Sequence, residues 1–164
     1  MTRFSKVSKE QFVRDVKATM LVDMDEAFIE DAWENIQLPT RSTDGAAGYD
    51  IRTPFRFDFK SNIPFVIPTG IRIEMPKEKF LAIVPRSGLG FKYGLRLVNT
   101  IGIIDADYFH ADNEGHVMIK LVADKDIVIN AGDRVAQGII MNYYKTEDDN
   151  ATETRTGGFG STGK

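Results

Sequence analysis

From Pro39 onward, apolar residues recur at every second position. Phe55, Phe57 and Phe59 alternate with Arg56 and Asp58; Ile71, Ile73 and Met75 alternate with Arg72 and Glu74. Val117, Ile119 and Leu121 alternate with His116, Met118 and Lys120. Period two places successive side chains on opposite faces, so these runs predict half-buried antiparallel strands between Pro and Gly turns. Many short strands within roughly 120 residues predict an all-β sandwich, barrel or jelly roll. There is no strand–helix–strand alternation, which argues against a doubly wound sheet. Residues 1–38 have a different texture. Ser8-Lys9-Glu10-Gln11 is a capping-box pattern, with Val7 and Phe12 spaced for a hydrophobic staple, and predicts a helix over about 8–18. Met24, Phe28, Ala32 and Ile36 recur every fourth residue and predict a second amphipathic helix that stops before Pro39. This arm reads as a packing element, with partner binding as the other reading. After residue 145 periodicity is lost. A polar, acidic stretch leads to Gly157-Gly158-Phe159-Gly160-Ser161-Thr162-Gly163, a glycine-rich tail with one ring able to stack. Three segments result: a helical extension 1–38, a β domain 39–145 and a C-terminal arm 146–164.

Composition narrows the chemistry. With 164 residues and 42% hydrophobic content, the chain is long enough for one domain with its own core. A net charge of −3 argues against a general nucleic-acid surface, so an anionic ligand needs a local cluster of Arg and backbone N–H groups. The absence of cysteine excludes disulfides and thiol catalysis. Two histidines, His110 and His116, argue against a zinc site. No apolar run is long enough to cross a membrane and no signal-like N-terminus is visible, so a cytoplasmic protein is expected.

Candidate chemistry is concentrated in short stretches. Val98 to Tyr108 begins as a strand, can turn back at Gly102, and runs through Ile103 and Ile104 into Asp105 and Asp107. A hairpin with an apolar wall exposes backbone groups to a planar ligand, and an acid at its end can hold or deprotonate a water. The other reading is an ordinary hairpin with solvated acids. Ala46-Ala47-Gly48-Tyr49-Asp50 sets an acid at a strand start, either to face a hydrated metal ion or to stabilise a turn. Pro85-Arg86-Ser87-Gly88-Leu89-Gly90 offers a guanidinium, a hydroxyl and Gly amides, either a phosphate nest or a polar turn. In Gly132-Asp133-Arg134-Val135-Ala136-Gln137, Arg134 reads as an ion-pair partner, and Gln137 as a donor to phosphate or to a metal-bound water.

In order, AAGYDI, PRSGLG, NTIGIIDADY, GDRVAQ and RTGGFGSTG resemble the five motifs of the trimeric dUTPases over residues 38–164. Two features depart from the common pattern. Arg155 stands one residue nearer to Gly-Gly-Phe-Gly, and Phe109 to Glu114 form an added loop like that of Gram-positive and phage members. The resemblance implies a jelly-roll homotrimer that hydrolyses dUTP to dUMP and pyrophosphate with Mg²⁺, water attacking the α-phosphorus. By position in the motifs, Asp105 matches the water-activating acid and Tyr108 the ring that packs on deoxyribose. Asn99, Ile103 and Ile104 match the hairpin that reads uracil, and Met118 a substrate-contacting position. Arg86, Ser87 and Gly88 match the phosphate turn, Gln137 a phosphate-side amide, and Asp50 the carboxylate that holds Mg²⁺ through water. Arg155 resembles an arginine finger, Phe159 the ring that stacks on uracil, Ser161 and Thr162 the γ-phosphate contacts, and Gly160 a substrate-binding position. A dCTP deaminase of the same fold, or a nucleotide-gated interaction protein, are the alternatives.

Overall fold

A computed structural model of the protein describes residues 1–20, 23–153 and 157. Within them the architecture is mostly β and jelly-roll-like. The chain runs β1 (Arg3–Lys6), α1 (Lys9–Thr19), α2 (Glu26–Glu34), β2 (Thr40–Arg41), β3 (Gly48–Arg52), β4 (Phe57–Phe59), β5 (Phe65–Pro68), β6 (Ile71–Glu74) and β7 (Lys79–Pro85). It continues through α3 (Ser87–Tyr93), β8 (Arg96–Leu97), β9 (Gly102–Asp105), a 3₁₀ turn (Ala106–His110), β10 (Met118–Val122), β11 (Ile127–Ile129) and β12 (Arg134–Asn142). One sheet has the order β2-β3-β12-β7-β9 and another β5-β10-β8, with β1-β6 and β11-β4 as separate pairs. The predicted alternation is present: Ile71 and Ile73 are buried, whereas Arg72 and Glu74 are not. Phe57 and Phe59 point inward around Asp58, and Phe57 meets Phe65 edge-on at 4.4 Å, a favoured aromatic geometry.

The N-terminal extension is part of this core. Phe12, Val16 and Ile29 are fully buried and belong to the same apolar cluster as Ile67, Ile119 and Leu121 of the sheet. Both predicted helices form, with ends close to those expected. Ser8 caps α1 by accepting the Gln11 amide at 3.1 Å. The reciprocal half of the predicted capping box is not made. The Gln11 side chain turns to Asp15, and the Ser8 N–H and hydroxyl instead donate to the Glu114 carboxylate at 2.7 and 2.6 Å. The helix is therefore capped onto the added loop 109–114. That loop is held from its other side by Arg72, whose guanidinium lies 3.7 Å over the Phe109 ring and donates to the Phe109 carbonyl at 2.6 Å. Strand β1 was not foreseen. Its register, Phe4 on Ile73 and Lys6 on Ile71, depends on a partner far along the chain, and one apolar residue in four shows no period.

Candidate active site

Three of the sequence stretches meet in the five-stranded sheet. β12 lies between β3 and β7, with Gln137 opposite both Asp50 and Val84, and Ala136 opposite Pro85. This register brings Asp50, Gln137 and Arg86 to one end of three adjacent strands. Arg86 Nε sits 3.1 Å from Asp50 Oδ1, Arg134 Nη1 sits 3.1 Å from Oδ2, and the Ser42 hydroxyl donates to Oδ2 at 2.7 Å. Burial works against ionised Asp50, but Ser42 and Arg134 hydrogen bonds and the two guanidinium charges outweigh it, holding the carboxyl below its ordinary range. Arg134 is thus the ion-pair partner read from the sequence. Ser42 was missed, because a serine in a polar turn carries no signal of its own. The Gln137 amide donates to the Pro85 carbonyl at 3.2 Å. Its place explains Gly48: a Cβ there would lie 2.2 Å from Gln137 Oε1. Ser87 and Gly88 are exposed at the start of α3, directly after Arg86.

The donor set bears on Mg²⁺. Among the described residues no three His, Cys, Asp or Glu side chains are grouped to hold a metal. An ionised carboxylate has about four lone-pair sites, and Arg86, Arg134 and Ser42 engage three of those of Asp50. One further acceptor position suits a water of a hydrated ion and does not suit direct chelation. The residues therefore fit Mg²⁺ held through water.

A second region lies around β8, β9 and β10. The Val98–Tyr108 stretch does not close as a ladder-paired hairpin. β8 pairs with β10 and β9 with β7, so the turn at Val98–Ile101 passes from one sheet to the other. Thr100 takes a left-handed φ of 68° there. Between the two sheets lies a cavity of about 330 Å³, lined by Asn99, Gly102, Ile104 and Met118 together with Leu97 and Val66. Its size and apolar walls suit one ring-containing small molecule. Of the sequence-predicted residues, Asn99, Ile104 and Met118 are thus brought together. Ile103 faces the other way and is about half exposed, as strand alternation requires. Asp105 ends the same strand on that outward face. Tyr108 lies in the 3₁₀ turn and is buried, with its hydroxyl donating to the His116 carbonyl at 2.9 Å and accepting from Asn113 at 2.7 Å. Arg155, Phe159, Gly160, Ser161 and Thr162 lie outside the described residues.

No helix among the described residues is long and apolar enough to cross a membrane. A family model described as dUTPase matches residues 34–163. A deoxyuridine 5'-triphosphate nucleotidohydrolase of Lactococcus lactis is 41% identical over 133 residues, covering 78% of this chain and 89% of the relative. Among solved structures, a dUTPase from Streptococcus mutans matches with a TM-score of 0.61 at 32% identity, covering 79% of this chain and 96% of that one. A dUTPase from phage phi11 of S. aureus, whose structure is described as showing the coordination of a structural Mg(II) ion, matches in fold. Its TM-score is 0.61 at 23% identity, with 73% of this chain and 92% of that one covered. With five motifs in order, three of them side by side in one sheet and a fourth bordering an apolar cavity, the chain belongs to the dUTPase family.

Proposed function

We propose that the protein hydrolyses dUTP to dUMP and pyrophosphate. The cavity bordered by Asn99, Gly102, Ile104 and Met118, in a chain of the dUTPase family, is the observation that carries this reading. The pyrimidine enters the cavity, where backbone groups of the Asn99–Ile104 segment pair with its edge. A site built to pair the uracil edge leaves its own polar groups unmatched when cytosine enters, which supports rejection by roughly 10⁴–10⁵. Asp105 positions a water and takes its proton as the oxygen forms a bond to the α-phosphorus. The bond from that phosphorus to the bridging oxygen breaks, and pyrophosphate leaves with the electron pair. Arg86 and the Gln137 amide face the phosphates, and Arg155 adds a second guanidinium from the C-terminal arm. Mg²⁺, when bound, supplies further neutralisation of phosphate charge, held through water by Asp50. Phe159 stacks on the base, and Ser161 and Thr162 meet the γ-phosphate as the arm closes and excludes water.

The working form is a homotrimer whose sites are shared between chains. Asp105 is paired with Phe80, and Arg86, six residues after Phe80, directly follows β7 in extended conformation. At about 3.3 Å per residue, the two are about 20 Å apart in one chain, too far to act on one triphosphate linkage. The test of the reading is a panel of nucleoside triphosphates assayed for pyrophosphate and ammonia. Pyrophosphate is expected from dUTP alone. Ammonia from dCTP would reassign the protein as a deaminase.

A further inference from the structure

One residue lining the cavity lies outside the segment matched by the family model. Thr19, the last residue of α1, borders the same cavity as Asn99, Gly102, Ile104 and Met118, whereas the match begins at residue 34. We propose that Thr19 is a specificity-determining residue, a wall by which the N-terminal extension sets the size of the pyrimidine pocket. The proposal rests on the reading of this cavity as the nucleoside site.

The wall is fixed at several points. At its start, Ser8 is bound to Glu114 through both its N–H and its hydroxyl. Midway, Asp15 Oδ2 lies 2.6 Å from Nδ1 of the fully buried His116. The Gly70 N–H donates to His116 Nε2 at 2.7 Å, so that nitrogen carries the lone pair and Nδ1–H is the donor to Asp15. His116 immediately precedes Val117 and Met118, so the helix is tied to the strand that supplies the opposite side of the cavity. The Thr19 hydroxyl donates back to the Asp15 carbonyl at 2.6 Å. That bond occupies the hydroxyl proton, so Thr19 brings bulk to the cavity wall and no free proton donor. A rigid helix end that contributes bulk and no free donor acts on ligand size. One methylene of mismatch in an apolar pocket discriminates by about 10–200-fold.

The experiment compares steady-state kinetics of the full chain and three variants on dUTP and on dTTP, whose ring carries one more methyl. Thr19→Phe fills the cavity and is expected to raise the KM for dUTP at least tenfold, with kcat changed less than threefold. Thr19→Ala opens the wall and should raise the ratio of kcat/KM for dTTP over dUTP about tenfold. Ala18→Phe, on the exposed neighbouring position, is the control and should change neither. An unchanged KM in folded Thr19→Phe, or an unchanged ratio in Thr19→Ala, overturns the proposal. If Thr19→Phe does not fold, the ratio in Thr19→Ala decides alone. An unmodified chain inactive on dUTP would instead remove the underlying reading, so the two failures are distinct.

Discussion

Gly48 carries no side chain because the Gln137 amide occupies the space where one would begin. The obstructing atom is the end of a flexible side chain, so Gly48→Ala costs little in folding; what it costs is the position of that amide. Activity should therefore fall while stability holds: kcat/KM is expected to drop about tenfold, about 1.4 kcal/mol of lost transition-state stabilisation, with Tm nearly unchanged. Gln137→Ala should give a similar loss, and the double variant no further loss, because both remove one contact. Additive losses in the double variant would show that Gly48 acts by another route. Asp105→Asn removes the proposed base and should lower kcat by roughly 10²–10⁴ while the nucleotide still binds, as judged by isothermal titration with dUMP. Near-normal turnover would take Asp105 out of the mechanism. At this scale the sequence was informative where chemistry demands a rare combination of residues. Asn99, Ile104 and Met118 could be named because their positions match those of the family the motifs resemble, and they do line the cavity. Ser42 and Thr19 could not be named, because nothing in a hydroxyl residue's local sequence says what it will face.

Helix α1 and the loop 109–114 are held together through Glu114. Its backbone is left-handed, with φ at 58°, a conformation that costs a non-glycine residue of order 1 kcal/mol and is held in place by its surroundings. Those surroundings are Ser8 and Arg72. Burial alone would favour the neutral acid, but the two Ser8 hydrogen bonds and the Arg72 charge outweigh it and lower the Glu114 carboxyl below its ordinary range. The unfolded chain therefore holds this proton more tightly than the folded one. The stabilisation is fully present above the ordinary Glu range near about 4.3 and is lost as pH falls through the lower folded value. Glu114→Gln keeps the shape and the left-handed backbone but removes this dependence. The Tm difference between the unmodified chain and Glu114→Gln should be constant from neutral pH to about pH 5, then shrink as pH falls below about 4. A difference independent of pH would mean that Glu114 acts by packing and not by charge. The helix itself was legible from its cap and its apolar spacing. Its attachment was not, since Ser8 and Glu114 are 106 positions apart and the capping box suggested that Gln11 would reach back to Ser8.

Within one chain, the residues proposed for catalysis are separated in an orderly way. Asp105 pairs with Phe80 near one end of β7, whereas Gln137 pairs with Val84 at the other end, where Asp50 and Arg86 also lie. A separation of about 20 Å along a strand cannot be closed by side-chain rotation. Either these groups serve different steps, or each site takes its phosphate side from a neighbouring copy. A closed three-fold ring, with head-to-tail contacts, provides the second arrangement. It predicts complementation between inactive variants. Asp105→Asn lacks the base, and Arg86→Gln lacks the phosphate cation while keeping an amide beside Asp50; each homotrimer should be nearly inactive. Refolded together in equal amounts, they form random trimers. A given site draws an intact Asp105 from one chain with probability one half, and an intact Arg86 from another chain with the same probability. About a quarter of the sites should then be whole, and activity should recover to about a quarter of that of the unmodified protein. Were both residues supplied by one chain, every chain in the mixture would carry one defect and no site could be complete. Recovery near zero, with subunit exchange confirmed by native mass spectrometry, would sink the shared site. Recovery near a quarter would establish that the separation of Asp105 and Arg86 within the fold is bridged by assembly.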